Sequence, residues 1–162
     1  MSRDESPTPL AERWPQAPLD LPADQLTPQL RSAAGRILAG HAGLGRLHLQ
    51  VCGGCGQVQY PPRDVCVACL DGTLDWQDVA TGARLVSCTT LHHSHFPYFQ
   101  ARLPWRIAMV RLDCGPAAVV HVDEVCKGEP GERLTVTLRR DGGGMAVLFG
   151  QPESMMANKD ES

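Results

Sequence analysis

The sequence predicts a mainly β protein: an N-terminal helix, a four-cysteine ribbon and a five-stranded barrel, in that order. Three observations predict it. Four of the seven cysteines stand in two Cys-x-x-Cys steps, Cys52/Cys55 and Cys66/Cys69, with ten residues between them. Apolar residues recur at helical spacing ahead of these steps and at a period of two behind them. Glycine and proline then cut the second half of the chain into short pieces. With 162 residues, there is room for one small barrel and an appendage, and none for a large enzyme fold with its own cofactor domain.

Residues 1–26 are expected to be an arm. Six of the 13 prolines fall in the first 28 residues, among Ser, Asp, Glu and Gln, a composition that buries too little apolar surface to fold alone. Residues 27–46 are expected to hold a helix and a linker. Thr27 and Pro28 have the chemistry of an N-cap and a first helical position, and Leu30, Ala33, Ala34, Ile37 and Leu38 share one helical face until Gly40 and Gly43 stop it. From Leu47 the alternation of Leu47, Leu49 and Val51 with His48 and Gln50 predicts a strand running into the first cysteine pair. Residues 47–78 are read as the ribbon and 79–150 as the barrel, with strands at 83–91, 106–113, 117–122, 133–139 and 145–149. Turn chemistry separates them at "DCGP", "KGEPGE" and "DGGGM". Leu134, Val136 and Leu138 alternate with Thr135, Thr137 and Arg139, so one face is dry and the other wet. Residues 151–162 form a polar tail.

Two Cys-x-x-Cys turns on adjacent hairpins deliver four thiolates to the corners of a tetrahedron, the arrangement of structural zinc. Cys52, Cys55, Cys66 and Cys69 are therefore expected to hold one Zn²⁺ per chain, and Gly53, Gly54 and Gly56 leave room for the backbone to wrap the sulfurs. Disulfides or merely buried thiols are the bland alternatives, disfavoured in a reducing compartment. Iron is the sharper rival: the same four thiolates serve a rubredoxin-like electron carrier, although Leu70 rather than glycine follows the second pair. A closed shell of four cysteines leaves no place for water or substrate, so the metal is expected to be structural.

Half of the eight aromatic residues, Phe96, Tyr98, Phe99 and Trp105, lie in "LHHSHFPYFQARLPW" with three of the six histidines. They either plug one mouth of the barrel or face a partner or ligand, because aromatics and arginine concentrate at contact centres. The candidate contact set is His93, His95, Phe96, Tyr98, Phe99, Arg102, Trp105 and Arg106, the arginines being suited to a phosphate or carboxylate. His92, His93 and His95 make a poor second metal site, since neighbours on a strand face opposite ways. Cys88, Cys114 and Cys126 lack ligand spacing, and Cys88 and Cys114 read as buried thiols. No nucleophile and base pair is recognisable, so no catalytic residue is expected. A nucleic-acid module of ribbon and barrel is the competing class, but residues 49–150 hold nine Lys and Arg against ten Asp and Glu, without the basic footprint such a binder needs. No apolar run reaches the length of a membrane span, and the start has no signal-peptide pattern. A cytoplasmic protein that binds neither membrane nor nucleic acid is the expectation.

Over about residues 30–150 the chain resembles the family of small zinc-ribbon and OB-fold proteins that accompany thiolase-like enzymes of acyl-CoA metabolism. The likeness rests on the rubredoxin-like ribbon around the four cysteines, "PPR" at 61–63, the Trp76 strand, "G-x-x-L-x-S-x-T" at 82–89 and "L-D-x-G-P" at 112–116. Its loop is also similar to the small subunits of phloroglucinol acetyltransferase complexes. The resemblance implies an OB-fold barrel and a non-catalytic accessory subunit. Its partner is expected to be a thiolase, a thiolase-like acyltransferase or a steroid side-chain aldolase, which performs the chemistry, while this chain supports assembly and the passage of CoA or acyl group. By that expectation the chain itself is not an enzyme, and a CoA thioester lies at the shared interface.

Overall fold

The computed structural model of the chain describes residues 32–44, 46–95, 97–101, 103–140 and 145–156. The expected arm, the Thr27 and Pro28 helix start with Leu30, Phe96, Arg102 and the end of the tail lie outside these residues, as does the side chain of Tyr98.

Helix α1 (Ala33–His41) begins at Ser32, whose extended backbone and Oγ accepting from the Gly35 amide at 3.0 Å make it the N-cap. Ala34, Leu38 and Ala39 are its buried residues. Ile37, expected on the packed face, is 47% exposed. The small alanines at 34 and 39 set the contact stripe about a hundred degrees round from Ile37 and allow close approach to the barrel. Arg140 Nε reaches the Ala39 carbonyl at 2.8 Å, satisfying one of the acceptors a helix C-terminus leaves open.

The ribbon is a three-stranded antiparallel sheet, β1 (His48–Cys52) between β2 (Val58–Gln59) and β3 (Leu74–Asp78). Leu47 and Leu49 are 1% exposed and belong to the same apolar cluster as the barrel interior. The base of the ribbon is therefore fused to the main core. His41 stacks on His48 at 4.8 Å and lies 5.2 Å from Trp76, joining the helix to this sheet.

Five strands close the barrel: β4 (Gly82–Leu91), β5 (Trp105–Leu112), β6 (Ala117–Val122), β7 (Arg133–Arg140) and β8 (Ala146–Pro152). Their order is β4-β5-β6-β8-β7, with β7 pairing back to β4 and only β6 and β8 parallel, the Greek-key closure of an OB-fold. One-turn helices α2 (Pro97–Gln100) and α3 (Glu153–Met156) precede β5 and follow β8. Alternation decides what fills the interior: Val110 and Leu112, Val120 and Val122, Leu134, Val136 and Leu138, and Leu148 are buried to 1% exposure or less. Each such side chain contributes roughly 1.5–3 kcal/mol. Gly150 lets β8 approach: a Cβ there would meet Val120 Cγ2 at 3.1 Å and Leu134 Cδ1 at 3.2 Å. The intervening residues of β5 and β6, Ile107, Met109, Arg111, Val119 and His121, necessarily face outward.

Candidate functional site

Two tight turns form the metal centre. Gly56 N donates to the Cys52 carbonyl at 2.8 Å, and Leu70 N to the Cys66 carbonyl at 3.0 Å, so each cysteine pair sits in the same kind of knuckle. Both closing residues adopt positive φ, 74° at Gly56 and 64° at Leu70. The first suits glycine; the second places a leucine where a Cβ is crowded. Gly54 faces Asp71 so closely that a Cβ would lie 2.7 Å from its Oδ2.

The four sulfurs lie within 4.8 Å of one another, with Cys52 to Cys69 and Cys55 to Cys66 at 3.6 Å. A tetrahedron with Zn–S bonds of about 2.3 Å has edges of about 3.8 Å, so the donor set fits the ion. Backbone amides of Cys69 and Ala68 draw the Cys66 thiol down to about 6. Against the pull of the Asp71 amide, the Cys55 and Cys52 thiols push Cys69 up to about 12. Four thiolates crowd together comfortably only around a cation.

What holds the knuckles apart from metal is a polar clasp that sequence reasoning missed. Gln50 and Gln59 are 4% and 3% exposed, and Gln59 Nε2 donates to Gln50 Oε1 at 2.9 Å. Gln50 also accepts from the Arg63 amide and donates to its carbonyl, at 2.8 and 2.9 Å. Gln59 Oε1 accepts from the Val67 amide at 3.0 Å. The loop between β2 and the second knuckle is thereby tied to the sheet by satisfied buried amides. Gln50 read as a wet position because a single sequence does not show that its amide has partners waiting.

Of the aromatic residues between β4 and β5, the described Phe99 and Trp105 pack outside the barrel and do not plug its mouth, one of the two places the sequence left open. Trp105, Ile107, Met109 and Arg111 share one parity, and Trp105 packs on the outer wall: 5.0 Å from the Phe99 ring and 6.0 Å from His121, which lies 5.4 Å from Phe149. Phe149, Phe99 and Val147 form an apolar cluster separate from the interior. Trp105 is buried and Phe99 half-buried, while His93 and His95 are exposed with their rings 4.9 Å apart. Burial draws His121 down to about 4.

Arg106 has the opposite parity and points into one mouth. Its guanidinium donates to the carbonyls of Cys126 at 2.7 Å and Asp123 at 3.2 Å and to Cys88 Sγ at 3.4 Å. Glu132 completes this cluster by accepting from the amides of Gly128 and Lys127 at 2.9 and 3.1 Å. Cys126 is fully buried here, whereas Cys88 and Cys114, expected to be buried, are half-buried. Among the described residues, no helix is long and apolar enough to cross a membrane.

A cysteine-knuckle ribbon fused to a closed five-stranded barrel defines a zinc-ribbon and OB-fold protein. Residues 40–75 match the family model "ChsH2, rubredoxin-like zinc ribbon domain", and residues 76–139 match "ChsH2, C-terminal OB-fold domain". The chain belongs to this ChsH2-type zinc-ribbon and OB-fold family, and its metal is one structural zinc. Among solved structures it is similar to the Ltp2-ChsH2(DUF35) aldolase, at 21% identity and TM-score 0.64 over 77% of this chain and 98% of that one. It is also similar to a DUF35-family protein of unknown function from Sulfolobus solfataricus, at 16% identity and TM-score 0.51 over 78% and 83%. At these identities the likeness is one of fold. No curated protein matches the chain.

The expectation that the chain is not an enzyme is overturned here. The similar structure that pairs ChsH2 with Ltp2 is an aldolase, so this fold occurs inside a catalytic assembly, and lack of a recognisable nucleophile and base pair does not set it outside one.

Proposed function

We propose that this chain is one subunit of a cytoplasmic two-protein assembly with a thiolase-like partner, acting on a CoA thioester. Carbon–carbon bond cleavage or formation is the reaction class. The observation that carries this reading is the consecutive match of residues 40–75 and 76–139 to the two ChsH2 domains, supported by the fold shared with the Ltp2-ChsH2 aldolase. The loop between β4 and β5 is the proposed contact: the exposed His93 and His95 and the packed pair Phe99 and Trp105, together with Phe96, Tyr98 and Arg102. Arg106 would serve from behind, by fixing the 123–128 segment at the mouth through its carbonyl bonds. Zinc holds the ribbon in shape, with Cys52, Cys55, Cys66 and Cys69 as its ligands.

The test is coexpression of the full chain with each thiolase-like protein of the same host, followed by size exclusion and assay of CoA-thioester cleavage. One stoichiometric complex is expected, with an activity that neither chain alone matches. A chain that elutes alone beside every such protein, without altering their activities, would contradict the reading.

A further inference from the structure

The outer wall of β4, β5 and β6 carries a second feature that neither the metal nor the aromatic loop explains. Val86, Met109 and Val119 are 50%, 40% and 47% exposed. Met109 pairs with Ser87 on one side and Val119 on the other, and the β-bulge between Leu85 and Ser87 inserts Val86 into the same row. Three large apolar side chains thus lie in a stripe across three strands. One row away, Arg84 stands opposite Arg111 on β5 and opposite Arg133 on β7, an alignment of like charges that disfavours the sheet. Arg133 is neutralised by Asp113 at 2.7 Å and Glu153 at 3.0 Å. Arg111 donates to the Gly115 carbonyl at 3.3 Å, and among the described residues neither Arg84 nor Arg111 has an ion pair.

We propose that this wall is a docking face for a protein surface bearing an apolar strip edged by carboxylates, namely the thiolase-like partner. The inference rests on the proposed function and extends the contact from the loop, which joins the aromatic end of the same wall, to the stripe and its two arginines. Charge selects the occupant. The carboxylate beside these arginines, Asp113, is held by both terminal guanidinium nitrogens of Arg133 and already feels Arg84, so a second copy related by a two-fold axis would bring Arg84 and Arg111 no free carboxylate from this wall. Apolar side chains at the centre of the wall, in place of stacking aromatics interleaved with basic residues, fit protein better than single-stranded nucleic acid.

The full chain as wild type, Met109→Glu, and Arg84→Glu with Arg111→Glu is titrated against a purified thiolase-like protein of the host. Each variant is first checked for a wild-type thermal melt, and Val119→Ser replaces Met109→Glu if that variant fails to fold. Affinity is expected to fall about tenfold or more in each variant, with the salt dependence largely lost in the arginine double variant. Unchanged affinity in both sets, with the wild type bound, overturns this inference and leaves the proposed function standing. Failure of the wild type to bind any thiolase-like protein overturns both. A wild-type dimer split by Met109→Glu would make a second copy the occupant. Tight binding of a single-stranded oligonucleotide, lost in the arginine variant, would make it nucleic acid. Either of these results overturns the assignment.

Discussion

The ribbon tip and the barrel are held by different physics, although one chain of strands builds both. In the barrel, eight interior Leu and Val side chains on β5 to β8 are exposed by 1% or less, and burial inside a closed strand ladder supplies the cohesion. Around the knuckles, Val65, Val67 and Leu70 are exposed by 45%, 61% and 74%, so burial contributes little there. Four sulfurs and two buried glutamines take its place. The difference teaches that the tip is a metal-dependent attachment on a ribbon base, Leu47 and Leu49, that already belongs to the main core.

The largest effect should come from breaking the metal shell. Cys66→Ser is expected to abolish stoichiometric zinc by elemental analysis and unfold the tip, because a structural zinc contributes on the order of 10 kcal/mol to such a module. The barrel's far-ultraviolet signature should persist. Next comes the converse: Leu138→Ala, a fully buried β7 residue opposite Leu148, should cost about 3 kcal/mol in chemical denaturation while zinc content stays at one per chain.

Acidification separates the regions in another way. His121, packed among Trp105 and Phe149 on the wall with Arg139 over the Phe149 ring, is lowered from 6.5 to about 4 by burial. Below about pH 6.5 the unfolded chain binds a proton there that the folded chain refuses. Its contribution is therefore complete above pH 6.5 and lost as pH falls toward 4, a change of about 3 kcal/mol. Comparing denaturation of wild type and His121→Gln across that window isolates the effect from zinc loss, and the variant should show the shallower slope.

The smallest change expected is at Leu70. Replacing it with glycine relieves a positive φ at 64°, worth about 1 kcal/mol after the added freedom of the unfolded chain is counted. A melting temperature higher than wild type checks this. A lower one would show that the Leu70 side chain supports the knuckle.

Much of this architecture was legible because the governing patterns are local. The alternation of Leu134, Val136 and Leu138 marks one buried face without reference to any other strand, and the spacing of four cysteines specifies the zinc ribbon without a fold. The glutamine clasp was not legible, because Gln50 and Gln59 are polar residues made tolerable inside by backbone partners at Arg63 and Val67, far enough along the chain to escape any periodicity. The position of Trp105 was half legible. It shares parity with Met109 and Arg111 and not with Ala108 and Val110, which places it outside the barrel, but the loop's richness in aromatics alone left a barrel plug and a partner surface both open. Arg84 and Arg111 became informative only once the strand register set them opposite each other.

The most direct test of the division between metal-held tip and core-held barrel is amide hydrogen exchange on the full chain, resolved by peptide, before and after zinc is removed with a chelator. Loss of protection confined to the segment from Cys52 to Thr73, with β4 to β8 unchanged, is the predicted result. Simultaneous loss across the barrel strands would contradict it, by showing that zinc is part of a single cooperative core.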